Sequence, residues 1–314
     1  MVSVLCITYN HEKYIAQALE SIVTQKTSFA LEVIVHDDAS TDGTAAIVRK
    51  YAEQYPEIIV PIYQEKNQYS QRVSISREIM LPRSRGKYFA ICEGDDFWTN
   101  INKLQKQFDY MESHPECTLC IHNAQRVNVE GQRIGEIAPV SSSRIVSCEE
   151  VILGGGDFCA TNSIFAPTRL THKLPEYFNI LTNDLVWQIY LASQGDSYCF
   201  ADEMSAYCTG VENSWTQRIW NNKEKRIRWL STIKETYEAF DMETGYQYHA
   251  AVEDVILVNE ISKCILLKNL ENLKVQRYKE QIKKLPMKTK VFVWLSVHSP
   301  RLVDLYETFR HSNR

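Results

Sequence analysis

The 314-residue chain has no apolar run of about 20 residues, so no stretch of it is expected to cross a bilayer as a helix. Its start, Met1-Val2-Ser3-Val4-Leu5-Cys6, lacks a basic segment followed by a long apolar one, so no secretory signal peptide is expected. Neither a Gly-x-Gly-x-x-Gly turn nor a Gly-x-x-x-x-Gly-Lys loop occurs, which excludes the two common backbone cradles for nucleotide phosphates. A disulfide framework is missing too: the nine cysteines are odd in number, scattered and mostly inside apolar runs, the usage of a reduced, cytoplasmic protein. Cys117 and Cys120 form one Cys-x-x-Cys pair without a second, so no structural zinc site is expected. Positive charge is scarce in the front part, where residues 1–214 carry 17 Lys and Arg against 27 Asp and Glu, which argues against a nucleic-acid groove. Residues 215–314 reverse this, with 18 against 12, and leave a basic tail suited to an anionic partner.

What is present is an alternation of strand-like and helix-like segments. Val2 to Thr8 is rich in apolar and β-branched residues and is broken by Tyr9-Asn10-His11, which predicts a strand. Tyr14, Ile15, Ala18, Leu19, Ile22 and Val23 then recur at helical spacing. A second strand over Leu31–His36, a helix from Thr44 to Gln54, a third strand over 58–63, a helical stretch carrying Arg77 and a strand over Tyr88–Cys92 follow. This rhythm predicts an α/β fold with a mainly parallel sheet covered by helices on both faces. Further strands are expected over 118–122, 132–134 and 204–207. Helices are expected from Lys103 to Met111, from Ile145 to Leu153 and over the stretch beginning at Asp184, with a glycine hinge at 154–156.

In such sheets ligands bind at the C-terminal ends of the strands. Three strands here end in polar or acidic residues: Thr8 to Asn10, Asp37 to Ser40, and Glu93-Gly94-Asp95-Asp96. Adjacent carboxylates repel, and a cluster of them at a strand end suits a hard divalent cation, Mg²⁺ or Mn²⁺. A nucleotide pocket without a glycine-rich loop needs such a cation against its phosphates.

The ordered set of Ser3 to Asn10 before a helix, Asp37-Asp38-Ala39-Ser40-Thr41-Asp42-Gly43-Thr44, Arg77 before Gly86-Lys87-Tyr88, and Glu93-Gly94-Asp95-Asp96 resembles the family 2 glycosyltransferases of GT-A fold. The resemblance runs over roughly residues 2 to 215. It implies inverting, hexosyltransferase-like transfer of a sugar from a nucleoside diphosphate donor, most often UDP, with Mg²⁺ or Mn²⁺. Carried over by position, it implies that Thr8, Asn10, Asp37, Asp38, Arg77 and Asp95 bind the donor nucleotide, with Asp38 accepting from a uracil or thymine ring. It gives the metal to Asp96 directly and to Asp95 through ribose or water, while Glu93 stands where many members have aspartate. It makes Asp184 the catalytic base, and Asn162, Ser163 and Trp215 acceptor contacts. A histidine that relatives place after the strand following the base helix is absent, and Glu212, Asn213 or water is expected to stand in for it.

The expected organisation is a nucleotide-binding domain over residues 1–215 and a helical C-terminal region over 216–314. Lys274 to Lys290 holds seven basic residues and one acid and runs into Val291-Phe292-Val293-Trp294-Leu295. Basic charge beside a Trp-containing apolar stretch can hold residues 274–295 on an anionic membrane surface. The partners expected are therefore a nucleotide-sugar donor and a glycan or lipid-linked acceptor of surface polysaccharide synthesis, in the cytoplasm or at the inner face of the cell membrane. Association into a homo-oligomer is left open. The competing readings are a sugar nucleotidyltransferase and a sugar-nucleotide-binding protein without turnover.

Overall fold

The computed structural model describes residues 1–212 and 214–299; Asn213, named above as a stand-in for a histidine, lies outside the described residues. The chain divides into two compact units, Met1–Phe178 with Thr182–Val211, and Asn179–Leu181 with the residues from Glu212 onward.

The first unit is built on β1 (Val2–Thr8), α1 (Ile15–Val23), β2 (Leu31–Asp37), α2 (Thr44–Gln54), β3 (Ile59–Tyr63), β4 (Tyr88–Ile91), β5 (Phe97–Trp98), α3 (Lys103–Ser113), β6 (Cys117–Val127), β7 (Arg133–Ile137), β8 (Arg144–Val146), α4 (Cys148–Gly154), β9 (Phe165–Pro167), α5 (Asp184–Ser193) and β10 (Asp196–Cys208). The strands form one sheet in the order β3-β2-β1-β4-β9-β6-β10-β5, with β7 added beside β6 and β8 beside β10. β3, β2, β1 and β4 run parallel, as the strand–helix rhythm predicts. Beyond β4 the sheet is mixed: β9 is antiparallel to β4 and β6, β10 is parallel to β6, and β5 is antiparallel to β10.

The core follows from the sequence. β1 and β2 are buried almost throughout, as apolar strands with helices on both faces must be. Ile15, Ala18, Leu19 and Ile22 recur at the spacing of one helix face, and all are fully buried. Ile145 departs from expectation. It lies in β8, antiparallel to β10, because Ser147 accepts from Glu150 N in a capping box and starts the helix only at Cys148. The strand expected over 204–207 is the end of the longer β10, whose register shifts on either side of Glu203, between Phe200 and Ser205.

The second unit contains α6 (Trp215–Trp220), α7 (Lys223–Glu243), α8 (His249–Leu266), α9 (Gln276–Lys284) and α10 (Met287–His298). Its interior joins Ile261, Cys264, Leu273, Tyr278 and Val293.

Candidate active site

The loops leaving β1 and β2 clasp each other. Asn10 N donates to Ser40 Oγ at 2.9 Å, Thr41 N to Asn10 Oδ1 at 2.8 Å, and His11 N to Thr44 Oγ1 at 2.8 Å. Both loops contain a non-glycine residue in the left-handed region, Asn10 at φ 55° and Ala39 at φ 63°, a conformation that persists only where the surroundings impose it. The turn after β4 joins them, with Gly94 N donating to Ile7 O at 2.8 Å. A Cβ at Gly94 would lie 2.6 Å from Thr8 Oγ1 and 3.0 Å from His11 Nδ1, so only glycine lets the acidic turn come this close to β1. The three strand ends thus meet in one place.

The carboxylates there have different surroundings. Asp96 is 2% exposed, and each of its oxygens is taken: Oδ1 accepts from Cys208 N at 2.8 Å and Oδ2 from Asn162 Nδ2 at 2.9 Å. Burial, and then the charges of Asp95 and Glu93, raise its carboxyl above the usual range. Glu93 is pushed up to about 8 by burial and by the nearby Asp95 and Asp184. Asp95 is the more open of the two aspartates, with 18% of its side chain accessible and His11 Nε2 at 3.8 Å from Oδ2. Thr8 Oγ1 and His11 Nδ1 are buried beside them without a hydrogen-bond partner.

Asp184 opens α5. Its Oδ1 accepts from Leu185 N at 3.0 Å and its Oδ2 from Thr161 Oγ1 at 2.9 Å. Burial raises its carboxyl, and the two hydrogen bonds work against that by favouring the ionised form. Thr161, which bonds Asp184, is followed by Asn162, which bonds Asp96, so adjacent residues join Asp184 to the turn after β4.

This donor set suits a hard cation. It offers carboxylate oxygens, and two of its carboxyls are driven towards protonation by burial and then by charge crowding, the second of which a cation would relieve. Among the described residues no three His, Cys, Asp or Glu side chains converge as a complete metal site. Mg²⁺-type ions are commonly held by one or two carboxylates with substrate phosphates supplying the rest, so an incomplete protein set is compatible with such an ion.

The structure gives the expected site residues the following surroundings. Asp96, read as the direct metal ligand, is buried with both oxygens occupied, so the accessible carboxylate of the pair is Asp95. Asn162 and Ser163, read as acceptor contacts, are fully buried. Asn162 donates to Asp96 and to Ala206 O, accepts from Ser205 Oγ at 2.6 Å and from the Trp98 indole through its carbonyl, while Ser163 Oγ donates to Ala160 O. Asp38, read as the base reader, is 1% exposed and accepts from Gln68 N at 2.6 Å and Tyr69 N at 3.1 Å, so it holds the 67–69 turn in place. Asp37 accepts from Ser40 Oγ and is likewise buried. Arg77 sits in a π-helical turn, Ile75–Met80, and donates to Glu78 Oε1 at 2.9 Å. Trp215 belongs to the second unit, where its ring meets that of Trp229 edge-on at 5.7 Å. Sequence reasoning missed His11 and Thr161. His11 follows Asn10 in the loop and was legible as a polar residue at a strand end; Thr161 has no sequence signal, because its partner lies 23 positions away.

The family model described as Glycosyl transferase family 2 matches residues 3–152. An uncharacterized protein of Mycobacterium tuberculosis is 34% identical over 272 residues, covering 84% of this chain and 73% of that protein. TuaG of Bacillus subtilis, named as a teichuronic acid biosynthesis glycosyltransferase, is 28% identical over 228 residues, covering 72% of this chain and 85% of its own length. Among solved structures, S. aureus TarS 1-349 in complex with UDP-GlcNAc aligns with a TM-score of 0.63 at 16% identity, covering 100% of this chain and 91% of that one, a likeness of fold.

Proposed function

The chain belongs to the family 2 glycosyltransferases, and from that premise we propose that it transfers a sugar from a UDP-sugar, with inversion, to a hydroxyl of a glycan or lipid-linked acceptor in surface polysaccharide synthesis. The observation that best supports this is that the adjacent residues Thr161 and Asn162 bond Asp184 and Asp96 respectively, which brings a base and an anionic cluster to one site. Attack by an acceptor hydroxyl on an anomeric carbon requires loss of its proton, and Asp184 Oδ2 takes it while Thr161 and Leu185 N hold the carboxylate in place. Thr8 and Asn10 border the nucleoside, and Asp37, Asp38 and Arg77 belong to the elements that wall the donor pocket. Asp95, with Glu93 beside it, is the residue to hold a divalent cation, and Asp96 and Asn162 fix the turn that carries it. Such a cation, Mg²⁺ or Mn²⁺, when bound offsets the charge of the departing diphosphate. The acceptor class rests on the naming of TuaG, and donor identity on the UDP-GlcNAc complex of TarS. Nine free thiols, eight of them buried, support a reducing, cytoplasmic setting. Membership in the family displaces the nucleotidyltransferase reading.

Calorimetry of UDP, TDP, GDP and CDP, each with Mn²⁺ and with EDTA, tests the proposal. UDP binding that disappears with EDTA is the expected result. Absence of binding by every nucleotide in the presence of Mn²⁺ overturns the donor reading, and with it the reading as a sugar-nucleotide-binding protein without turnover.

A further inference from the structure

We propose that the α9–α10 face of the second unit is a docking surface for an anionic phospholipid bilayer. α10 is apolar on almost every side, yet only one side is covered. Val293 is 4% exposed against Ile261, Cys264, Leu273 and Tyr278, whereas Met287, Val291 and Trp294 are 72%, 48% and 57% exposed. The last three are spaced four and three apart, which places them on one stripe of the helix. An apolar stripe of this kind on a soluble unit marks an interaction surface.

Beside the stripe lies an open groove of about 550 Å³, walled by Leu273, Ile282, Trp294 and Val297. Lys274, Lys279, Lys283 and Lys290 also line it, and no Asp or Glu does. Lys274 pairs with Glu271 at 2.8 Å, but Lys279, Lys283 and Lys290 have no ion pair among the described residues. The partner must therefore be apolar and anionic at once. A second copy of this chain would face lysines with lysines across a two-fold contact, which like-charge repulsion disfavours. A bilayer with anionic headgroups meets both demands: phosphates for the lysines, and an interfacial layer for a tryptophan and its apolar neighbours. No described helix is long and apolar enough to cross the membrane, so the contact is a surface one. The inference does not depend on the transferase reading, and nucleotide binding by the same preparation keeps the two separable.

Co-sedimentation of the full chain with vesicles tests it. The protein should bind phosphatidylcholine–phosphatidylglycerol vesicles, leave phosphatidylcholine vesicles free, and be released as salt rises. Each lysine lost from Lys279→Gln and Lys283→Gln should lower the partition coefficient about fivefold. Trp294→Ala should weaken binding without changing the thermal unfolding midpoint, because this ring is exposed. Binding equal for both vesicle types, or unchanged in the lysine and Trp294→Ala variants, overturns the proposal. So does displacement by inorganic phosphate beyond that by chloride at equal ionic strength, which would mean a phosphate pocket. Light scattering that shows a dimer dispersed by Trp294→Ala would assign the stripe to a second copy instead.

Discussion

The Asn162 side chain donates one amide hydrogen to Asp96 Oδ2 at 2.9 Å and the other to the Ala206 carbonyl, also at 2.9 Å, tying the acidic turn after β4 to β10. The same residue accepts the Trp98 indole hydrogen through its carbonyl at 2.9 Å. Asp96 is thus tied into the sheet, while the side chain of its neighbour Asp95 is 18% accessible.

Two substitutions separate these roles. Asp96→Ala leaves Asn162 and Cys208 N without their acceptor in a buried place, which costs about 2–4 kcal/mol of stability by denaturant unfolding. Asp95→Asn should stay within about 0.5 kcal/mol of the parent, yet lose Mn²⁺-dependent UDP binding at least about tenfold. If Asp96→Ala melted like the parent and alone lost metal dependence, the roles would be the reverse.

Asp184→Asn keeps the shape of the side chain and removes its basicity. Turnover of a UDP-sugar should fall about 10²–10⁴-fold, the usual contribution of a positioned general base, while the Kd for UDP changes less than about twofold. Wild-type turnover in this variant would remove Asp184 from the mechanism.

The pH profile reports on Thr161. Burial raises Asp184, and the Thr161 hydroxyl lowers it again by bonding to the ionised form. Thr161→Val deletes that bond, so the carboxyl rises further and the acidic limb of turnover moves to higher pH, with the alkaline plateau little changed. Thr161→Ser should restore the parent profile. A uniform loss at every pH would mark a packing defect instead.

Strain at the β2 loop offers a stability test. Ala39 holds φ 63°, where a Cβ costs about 1 kcal/mol that glycine avoids. Ala39→Gly should therefore be neutral or stabilising by up to about 1 kcal/mol in denaturant melts, whereas most loop alanines lose stability on the same change.

The parallel half of the sheet was legible because β1, β2 and β4 are short apolar runs ending in turn-forming or acidic residues, a pattern local in sequence. The other half was not: β9 has three residues, and β10 hides its length behind Asp202 and Glu203 at a register shift. The location of the site was legible from three polar strand ends. Which carboxylate points where was not, since Asp95 and Asp96 are adjacent and alike in sequence, and only Asn162 and Cys208, far along the chain, distinguish them. Asp38 illustrates the same limit: its partners Gln68 and Tyr69 belong to a loop with no periodic signal.

Lys103 carries the last prediction. It opens α3 fully buried, with Nζ 3.9 Å from the Trp98 ring centroid and without a hydrogen-bond partner. Burial lowers its ammonium from 10.5 to about 7. A positive charge in the first turn of a helix is also opposed by the helix dipole. Between about pH 7 and about pH 10 the unfolded chain keeps the proton that the folded chain has released, so this residue makes stability rise with pH across that window, and its full cost is present below it. Lys103→Met removes the titration and retains the volume. The variant should be more stable than the parent at about pH 6, by an amount on the order of a few kcal/mol, and the gap should close towards about pH 10. A gap that does not change with pH would show that Lys103 is not the linked group, and a less stable variant at about pH 6 would show that the contact with Trp98 outweighs desolvation.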